Sequence, residues 1–283
     1  MPAFRLGDRT HDLAYRTLVM GILNRTPDSF YDRGATYDAD RLLARAHQLV
    51  LDGADLLDVG GVKAGPGAEV GEAEELDRVV PTVEALHARF DVPLSVDTWR
   101  ASVLEAACDA GAVVGNDISG FADPDYLIVA AKAQASVVAT HIRLRPRVPD
   151  PQPVYDDLVS DVTDFLLARA DAARHAGLAP DQIALDAGLD LGKTPVMSAV
   201  LLRESDALAS HGYTLLLSAS NKRFLGELFQ LDIDDRRDLS LASVAYGVAH
   251  GCRIVRVHDV AGSVRVCRVT EALVRTAGPG DAA

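Results

Sequence analysis

The stretch Ile183-Ala184-Leu185-Asp186 is a short, continuous apolar run that ends at a carboxylate. Eight such runs recur along the chain, each leading into polar residues or glycine: Leu18–Leu23 before Asn24, Leu56–Val59 before Gly60, Pro93–Val96 before Asp97, Val113–Gly115 before Asn116, Val137–Ala139 before His141, Ile183–Leu185 before Asp186, Thr214–Leu217 before Ser218, and Ile254–Val257 before His258. Continuous rather than alternating apolar runs indicate strands buried on both faces, as in a parallel sheet. With helical spacing between them, eight units predict an α/β fold, a (β/α)₈ TIM barrel whose site lies at the C-terminal strand ends.

The rest of the chain is consistent with one barrel. Its 283 residues are close to the roughly 250 typical of this fold, so we expect a single domain over residues 1–283. Phe4–Leu6 and Leu13–Tyr15 flank a Gly-Asp turn signal and predict a short N-terminal β-hairpin at the barrel floor. Helical spacing between and after the strand runs predicts helices over Asp40–Asp52, Glu72–Arg89, Arg100–Ala110, Asp125–Ala133, Val154–His175, Thr194–Ser210, Lys222–Phe229, Leu239–Ala249 and Gly262–Thr276.

Charge and cysteine content restrict the partners and the compartment. The chain has 28 Lys and Arg against 41 Asp and Glu, a net charge of −13, which argues against nucleic acid or an anionic membrane as partner. Three cysteines without metal or redox spacing, and the absence of a signal-like or membrane-spanning apolar segment, predict a cytoplasmic protein. Because the net charge is negative, any phosphate site must depend on a local group of positively charged side chains.

An ordered set of motifs at the strand ends resembles the dihydropteroate synthases. The motifs are Asn24-Arg25-Thr26-Pro27-Asp28-Ser29-Phe30, Asp58-Val59-Gly60-Gly61, Ser95-Val96-Asp97-Thr98, Asn116-Asp117-Ile118-Ser119-Gly120, Thr140-His141, Asp186-Ala187-Gly188 with Gly192-Lys193, Ser220-Asn221-Lys222 with Phe224-Leu225-Gly226, and Arg256-Val257-His258-Asp259. The resemblance implies a pterin-binding transferase that joins 4-aminobenzoate to 6-hydroxymethyl-7,8-dihydropterin pyrophosphate, with Mg²⁺ as cofactor. It also implies a homodimer.

Four residues complement a pterin. The aminopyrimidinone edge has adjacent N–H donors that a carboxylate accepts, and acceptors that an amide and an ammonium satisfy. By resemblance, Asp186 and Asn116 bind that edge, Asp97 lies against the reduced ring, and Lys222 reaches the oxo group. The alternatives are helix N-caps for Asp97 and Asn116, and a surface cation for Lys222.

The resemblance assigns the diphosphate to the first and last strands. Arg256 and His258 would bind the leaving group and Arg256 would also stack on the pterin, while Asn24 would contact the metal or the phosphates. Asp97 would stabilise the positive charge that develops on the pterin methylene, so Asp97, Lys222 and Arg256 are the predicted catalytic residues. The alternative for His258 is a hydrogen bond to Asp259.

The loop after the second strand departs from the family pattern. The family's loop reads Gly-Gly-Glu-Ser-Thr-Arg-Pro-Gly, whereas residues 60–67 read Gly-Gly-Val-Lys-Ala-Gly-Pro-Gly, with Lys63 and Ala64 at the Ser-Thr positions and Gly65 at the Arg position. Asn221 likewise replaces a usual arginine, and Leu189-Asp190-Leu191 a usual Phe-Gly-Phe. This pattern resembles a second, divergent actinobacterial paralogue that lacks normal synthase activity.

We therefore expect a synthase homologue that keeps the pterin pocket and has weak or lost activity. Three alternatives remain: a functional dihydropteroate synthase, an enzyme that joins another acceptor to a pterin, and a non-catalytic pterin-sensing or partner-binding protein. Fold alone does not separate them.

Overall fold

The computed structural model describes residues 2–25, 39–65, 67 and 69–275. Its strands are β1 (Ala3–Leu6), β2 (Arg9–Asp12), β3 (Leu18–Asn24), β4 (Leu56–Gly60), β5 (Leu94–Asp97), β6 (Val114–Asp117), β7 (Ser136–Thr140), β8 (Ile183–Asp186), β9 (Thr214–Leu217) and β10 (Cys252–Val257). Its helices are α1 (Ala39–Leu51), α2 (Glu72–His87), α3 (Ala101–Asp109), α4 (Tyr126–Lys132), α5 (Leu158–His175), α6 (Pro195–Arg203), α7 (Ser205–Ala209), α8 (Arg223–Phe229), α9 (Arg237–Ala249) and α10 (Val260–Arg275).

The strands from β3 to β10 form a closed parallel barrel. Each pairs with the next along the chain, and β10 closes the ring by pairing with β3. The predicted (β/α)₈ architecture is confirmed, and all eight predicted strands are present. The C-terminal strand ends therefore converge on one face.

The hairpin of β1 and β2 closes the opposite face. Phe4, Leu6 and Leu13 belong to the apolar cluster inside the barrel, and Phe4 is fully buried. The Thr214 hydroxyl donates to the carbonyl of Ala3 at 3.0 Å, which anchors the hairpin to the start of β9. The predicted hairpin at the floor is confirmed, but its second strand is Arg9–Asp12 rather than Leu13–Tyr15.

The outer core lies between the strands and the surrounding helices. Along α5, Val162, Leu166, Ala170 and Ala173 are fully buried, and their spacing of three or four residues places them on one face. Cys108, Cys252 and Cys267 are free thiols. Within the described ranges, no helix is both long enough and apolar enough to cross a membrane.

Two helix predictions need correction. The predicted helix Thr194–Ser210 is two helices, because Glu204 leaves the helical region (φ −90°, ψ 22°) and the Ser205 hydroxyl binds the carbonyl of Leu202. Helix α5 begins at Leu158 rather than Val154, since the Asp157 side chain caps the amides of Val159 and Ser160.

The motif Thr26-Pro27-Asp28-Ser29-Phe30, most of the long loop after β3, and Pro66 and Ala68 of the loop after β4 lie outside the described residues.

Candidate functional site

The barrel interior changes from apolar to polar at its C-terminal end. On six strands, an apolar residue of the interior cluster is followed two positions later by a polar residue, and strand geometry points both to the same side. The pairs are Leu56 and Asp58, Val114 and Asn116, Val138 and Thr140, Ala184 and Asp186, Leu216 and Ser218, and Ile254 and Arg256. A polar layer therefore covers the apolar floor.

An ion network crosses this polar layer. Arg256 donates from Nε to Asp58 at 2.6 Å and from an Nη atom to Asp97 at 2.7 Å. Asp58 is fully buried and also accepts from the Ser95 hydroxyl at 2.6 Å and from the Asn116 amide at 3.2 Å. The residues come from β10, β4, β5 and β6, so the network connects strands that are not all neighbours.

Burial governs the protonation of this network. It raises the pKa of Asp97 above its usual range, and the guanidinium of Arg256 offsets part of the rise. Burial works to lower the pKa of Arg256, but Asp58 and Asp97 outweigh it and leave the pKa above its ordinary value. Arg256 is therefore the cation that stabilises the buried carboxylate of Asp97 in its charged form.

Sequence reasoning gave Asp58 no role. Asp58 lies inside an apolar run and belongs to the motif Asp58-Val59-Gly60-Gly61. The period-two alternation from Leu56 to Asp58, which places both side chains inside the barrel, is the signal that identifies it.

Asp186 lies at the end of β8, and Lys222 follows the neighbouring strand β9. One oxygen of Asp186 accepts from the amide of Gly188 at 2.7 Å, and Lys222 donates from Nζ to the carbonyl of Leu189 at 2.7 Å. Burial raises the pKa of Asp186 and lowers that of Lys222, and each charge opposes the shift of the other. Gly188 (φ +65°) is required here, because a Cβ would lie 1.9 Å from the carbonyl oxygen of His141.

The alternative roles considered from sequence do not match the contacts. The residue at the N-cap of α3 is Arg100 and that of α4 is Asp125, so neither Asp97 nor Asn116 caps the helix that follows it. Lys222 is half-buried and turned toward the barrel rather than lying on the surface.

Asn24 and His258 lie at the ends of β3 and β10. The Asn24 side-chain oxygen lies close to Gly60, its strand partner, at 3.1 Å from the position a Cβ would occupy there. A ring nitrogen of His258 lies 3.0 Å from the Ser220 hydroxyl, whereas Asp259 contacts Arg237 and accepts from the amide of Gly262. Both predicted diphosphate ligands are therefore on the C-terminal face.

The described residues offer few ligands for a metal ion. In the described part of the chain, no group of three or more His, Cys, Asp or Glu side chains could hold an ion. Asn24 offers one amide oxygen, and Mg²⁺ typically combines one or two protein oxygens with substrate phosphates and water. The donors present fit a magnesium ion that arrives with a diphosphate.

A buried lysine and histidine lie under the mouth. Lys193 Nζ is 2.8 Å from the Nδ1 atom of His141 and donates to the carbonyl of Leu191 at 3.0 Å. Burial lowers the pKa of Lys193 to about 7 and that of His141 to about 3, and in each case a neighbouring lysine adds to the effect. The pair fastens the segment after β8 to the segment after β7, a role that sequence reasoning did not assign.

A cavity of about 870 Å³ opens above these residues. Asp97, Asn116, Asp186 and Lys222 line it, and so do Lys63, Ala64 and Gly65 of the loop after β4. Its volume lies within the range of small-molecule sites, about 300–1,000 Å³. One cavity thus joins the predicted pterin residues to the divergent loop.

Comparison with known proteins agrees with this geometry. A family model described as pterin binding enzyme matches residues 20–258. A dihydropteroate synthase of Synechocystis is 40% identical over 277 residues, which cover 97% of this chain and 96% of that protein. The chain belongs to the dihydropteroate synthase family.

This family also contains proteins named as inactive. An "Inactive dihydropteroate synthase 2" of Mycobacterium leprae is 42% identical over 276 residues, 94% of each chain. The crystal structure of the Yersinia pestis dihydropteroate synthase with a sulfonamide drug complex superposes with a TM-score of 0.92 at 39% identity, covering 97% of this chain and all of that one. Family membership therefore fixes the fold and the pterin-binding class, but not the activity.

The ion network generates a stability prediction. Replacing Asp58 with Asn removes one charge from a buried ion pair, and such changes cost about 3–5 kcal/mol. Because the amide keeps one hydrogen bond, we expect a loss of about 3 kcal/mol in the free energy of unfolding, measured by urea denaturation. Asp91→Asn, at an exposed carboxylate, is the control and should change it by less than about 0.5 kcal/mol. Equal stability of the two variants would contradict the importance of the network.

Proposed function

We propose that this protein binds 6-hydroxymethyl-7,8-dihydropterin pyrophosphate at the barrel mouth and has weak or lost dihydropteroate synthase activity. The observation that carries the proposal is that Asp97, Asn116, Asp186 and Lys222, from four different strand ends, line one cavity. The description of the matching family as a pterin binding enzyme supports it.

The proposed pterin contacts follow from donor and acceptor chemistry. Asp186 uses one oxygen for the Gly188 amide, and its other oxygen is suited to accept from the pterin N–H groups. Asn116, on β6, adds an amide to the same pyrimidine edge, and Lys222 donates to the pterin oxo group. Asp97, next to Arg256, lies against the reduced ring. Buried polar groups of this kind discriminate strongly because a ligand that leaves them unpaired is penalised.

This assignment predicts the effect of one substitution. Asp186→Asn turns an acceptor into a donor that faces pterin N–H groups, so the affinity for 6-hydroxymethylpterin should fall by about 2 kcal/mol, or roughly 30-fold. Isothermal titration calorimetry measures the change. Asp164→Asn, at an exposed carboxylate on α5, is the matched control and should bind like the wild type. Absence of pterin binding by the wild-type protein would refute the proposal.

The family's reaction develops charge at two places, the pterin methylene and the leaving group, and both charges would need to be stabilised. Departure of pyrophosphate leaves positive charge on the pterin methylene, which the carboxylate of Asp97 would stabilise, and negative charge on the leaving group. Arg256 and His258 would donate to the leaving group, since two carboxylates engage only part of the donor set of Arg256. A magnesium ion held by Asn24 and the diphosphate would neutralise phosphate charge when bound.

The loop after β4 explains why we propose weak activity. Lys63, Ala64 and Gly65 replace the hydroxyls and the arginine that the family carries there. One lost charge-assisted hydrogen bond is worth about 1.5–3 kcal/mol, which corresponds to a roughly ten- to hundredfold slower reaction. A lysine cannot reproduce the bidentate geometry of the missing guanidinium.

A functional synthase is the second candidate. Its support is that the Synechocystis synthase is nearly as similar to this chain as the inactive mycobacterial protein, at 40% against 42% identity. Turnover of 6-hydroxymethyl-7,8-dihydropterin pyrophosphate with 4-aminobenzoate separates the two candidates.

Restoring the loop tests the cause directly. The triple variant Lys63→Ser, Ala64→Thr, Gly65→Arg should raise turnover about tenfold or more, because the recovered contacts act mainly in the transition state. Pterin affinity should change by less than about twofold. Gly65 accommodates a side chain, since among the described residues a Cβ there would meet only the Lys63 side chain, at 3.8 Å.

The matched control carries Gly65→Gln with the other two changes and lacks the guanidinium. If the restored loop leaves turnover at background in a folded, pterin-binding protein, the missing loop is not the cause, and the non-catalytic alternative is favoured.

We also propose a homodimer formed through α6, α8 and α9. Helix α6 packs beside α8 and α9, and Val196, Phe229 and Tyr246 on these helices are exposed apolar side chains.

Sedimentation equilibrium should therefore show two chains per particle. Phe229→Glu should shift the protein to the monomer, because a charge would be buried in the interface, whereas Ile128→Glu on the exposed face of α4 should not. A monomeric wild-type protein would exclude this proposal.

A further inference from the structure

The loop between β7 and α5 is fixed at its base. Arg143 binds Asp150 through two hydrogen bonds, at 2.5 and 2.8 Å, and the Asp150 side chain is only 6% exposed. Gly192 packs against this pair, where a Cβ would lie 2.9 Å from the Cβ of Arg143. We call residues 143–150 the arginine strap. Its backbone is stiffened by Pro146 and Pro149.

The tip of the arginine strap reaches the divergent loop. Arg147, whose φ is +66°, donates from an Nη atom to the carbonyl of Lys63 at 3.0 Å. In the barrel order, β5 and β6 separate β7 from β4. The strap therefore joins the loops that follow two strands that are not neighbours in the barrel.

The cavity beneath the arginine strap is rich in cations. Eight Lys and Arg residues and five Asp residues line it, although the whole chain carries a net charge of −13. Arg145, Arg147 and Lys63 are among these cations, and the contact of Arg147 with the Lys63 carbonyl brings two of them together. A local excess of positive charge in an acidic protein favours anionic ligands.

Arg145 is the clearest sign of a ligand site. Its side chain is exposed and lines the cavity, and within the described ranges its guanidinium makes no hydrogen bond or ion pair. By contrast, Arg143 in the same strap is engaged by Asp150. The rigid loop therefore positions Arg145, whose side chain makes no hydrogen bond or ion pair that holds the described part of the loop in place.

We propose that Arg145 and Arg147 of the arginine strap, with Lys63, bind the anionic group of a ligand that occupies this cavity beside the divergent loop. Guanidinium groups match the geometry of a carboxylate or a phosphate. Gly65, also in this lining, has no side chain where the family carries arginine. The strap supplies arginines to the same cavity from a different loop. The inference rests on the proposed function in taking the part of the cavity lined by Asp97, Asn116, Asp186 and Lys222 as the pterin site.

The test measures binding to the full-length protein by isothermal titration calorimetry, with and without 6-hydroxymethylpterin. The probes are 4-aminobenzoate, inorganic pyrophosphate, and 4-aminobenzamide as the neutral counterpart of the first. The variants are Arg145→Gln, Arg147→Gln and the double variant. Arg174→Gln, at an exposed position on α5, is the matched control.

We expect each strap substitution to weaken binding of an anionic probe about tenfold, with pterin and 4-aminobenzamide affinities unchanged within about twofold. Loss confined to 4-aminobenzoate assigns the strap to an acceptor carboxylate, and loss confined to pyrophosphate assigns it to the diphosphate end of the pterin substrate. Either result supports the inference.

The inference is overturned if both anions bind the wild type and the double variant equally, or if neither anion binds a wild-type protein that binds pterin. Arg147→Gln could disturb the loop through its contact with Lys63, so Arg145→Gln, which breaks no contact in the described structure, decides the matter alone. Failure to bind pterin refutes the proposed function instead, and the pterin-free titrations then judge the strap separately.

Discussion

The buried contact of Arg256 with Asp58 and Asp97 is the constraint on which the candidate site depends. Arg256 projects from β10 and reaches β4 and β5, so it spans the barrel interior across β3. Asp58 extends the network to Asn116 on β6. A buried charge is tolerated only when it is paired, and paired charges on different strands fix each other's position. One network therefore orients Asp97 and Asn116, two of the residues assigned to the pterin.

The sequence was sufficient for the architecture because its signal is local. Continuous apolar runs that end in polar residues identify buried parallel strands, and all eight were found. The positions of Asp97, Asn116, Asp186 and Lys222 around one cavity followed from the same pattern, because parallel strands end on one face. Their roles came from the resemblance and stay predictions.

The remaining features depend on contacts between residues distant in sequence. Nothing local shows that Asp58 binds Arg256, 198 positions away. The prolines of the arginine strap indicate only a stiff loop, and the tertiary structure alone joins Arg147 to Lys63. The break at Glu204 was also missed, because Ser205 is compatible with a helix until its hydroxyl binds the backbone.

The change from an apolar floor to a polar mouth separates the residues that stabilise the barrel from the residues that form the candidate site. The floor, with Phe4, Met20 and Ile254 fully buried, supplies hydrophobic stabilisation, whereas the polar layer above it carries the candidate site. The loop residues can therefore differ, as at Lys63, Ala64 and Gly65, while the barrel beneath them is kept. A dihydropteroate synthase and a relative named as inactive accordingly match this chain at 40% and 42% identity.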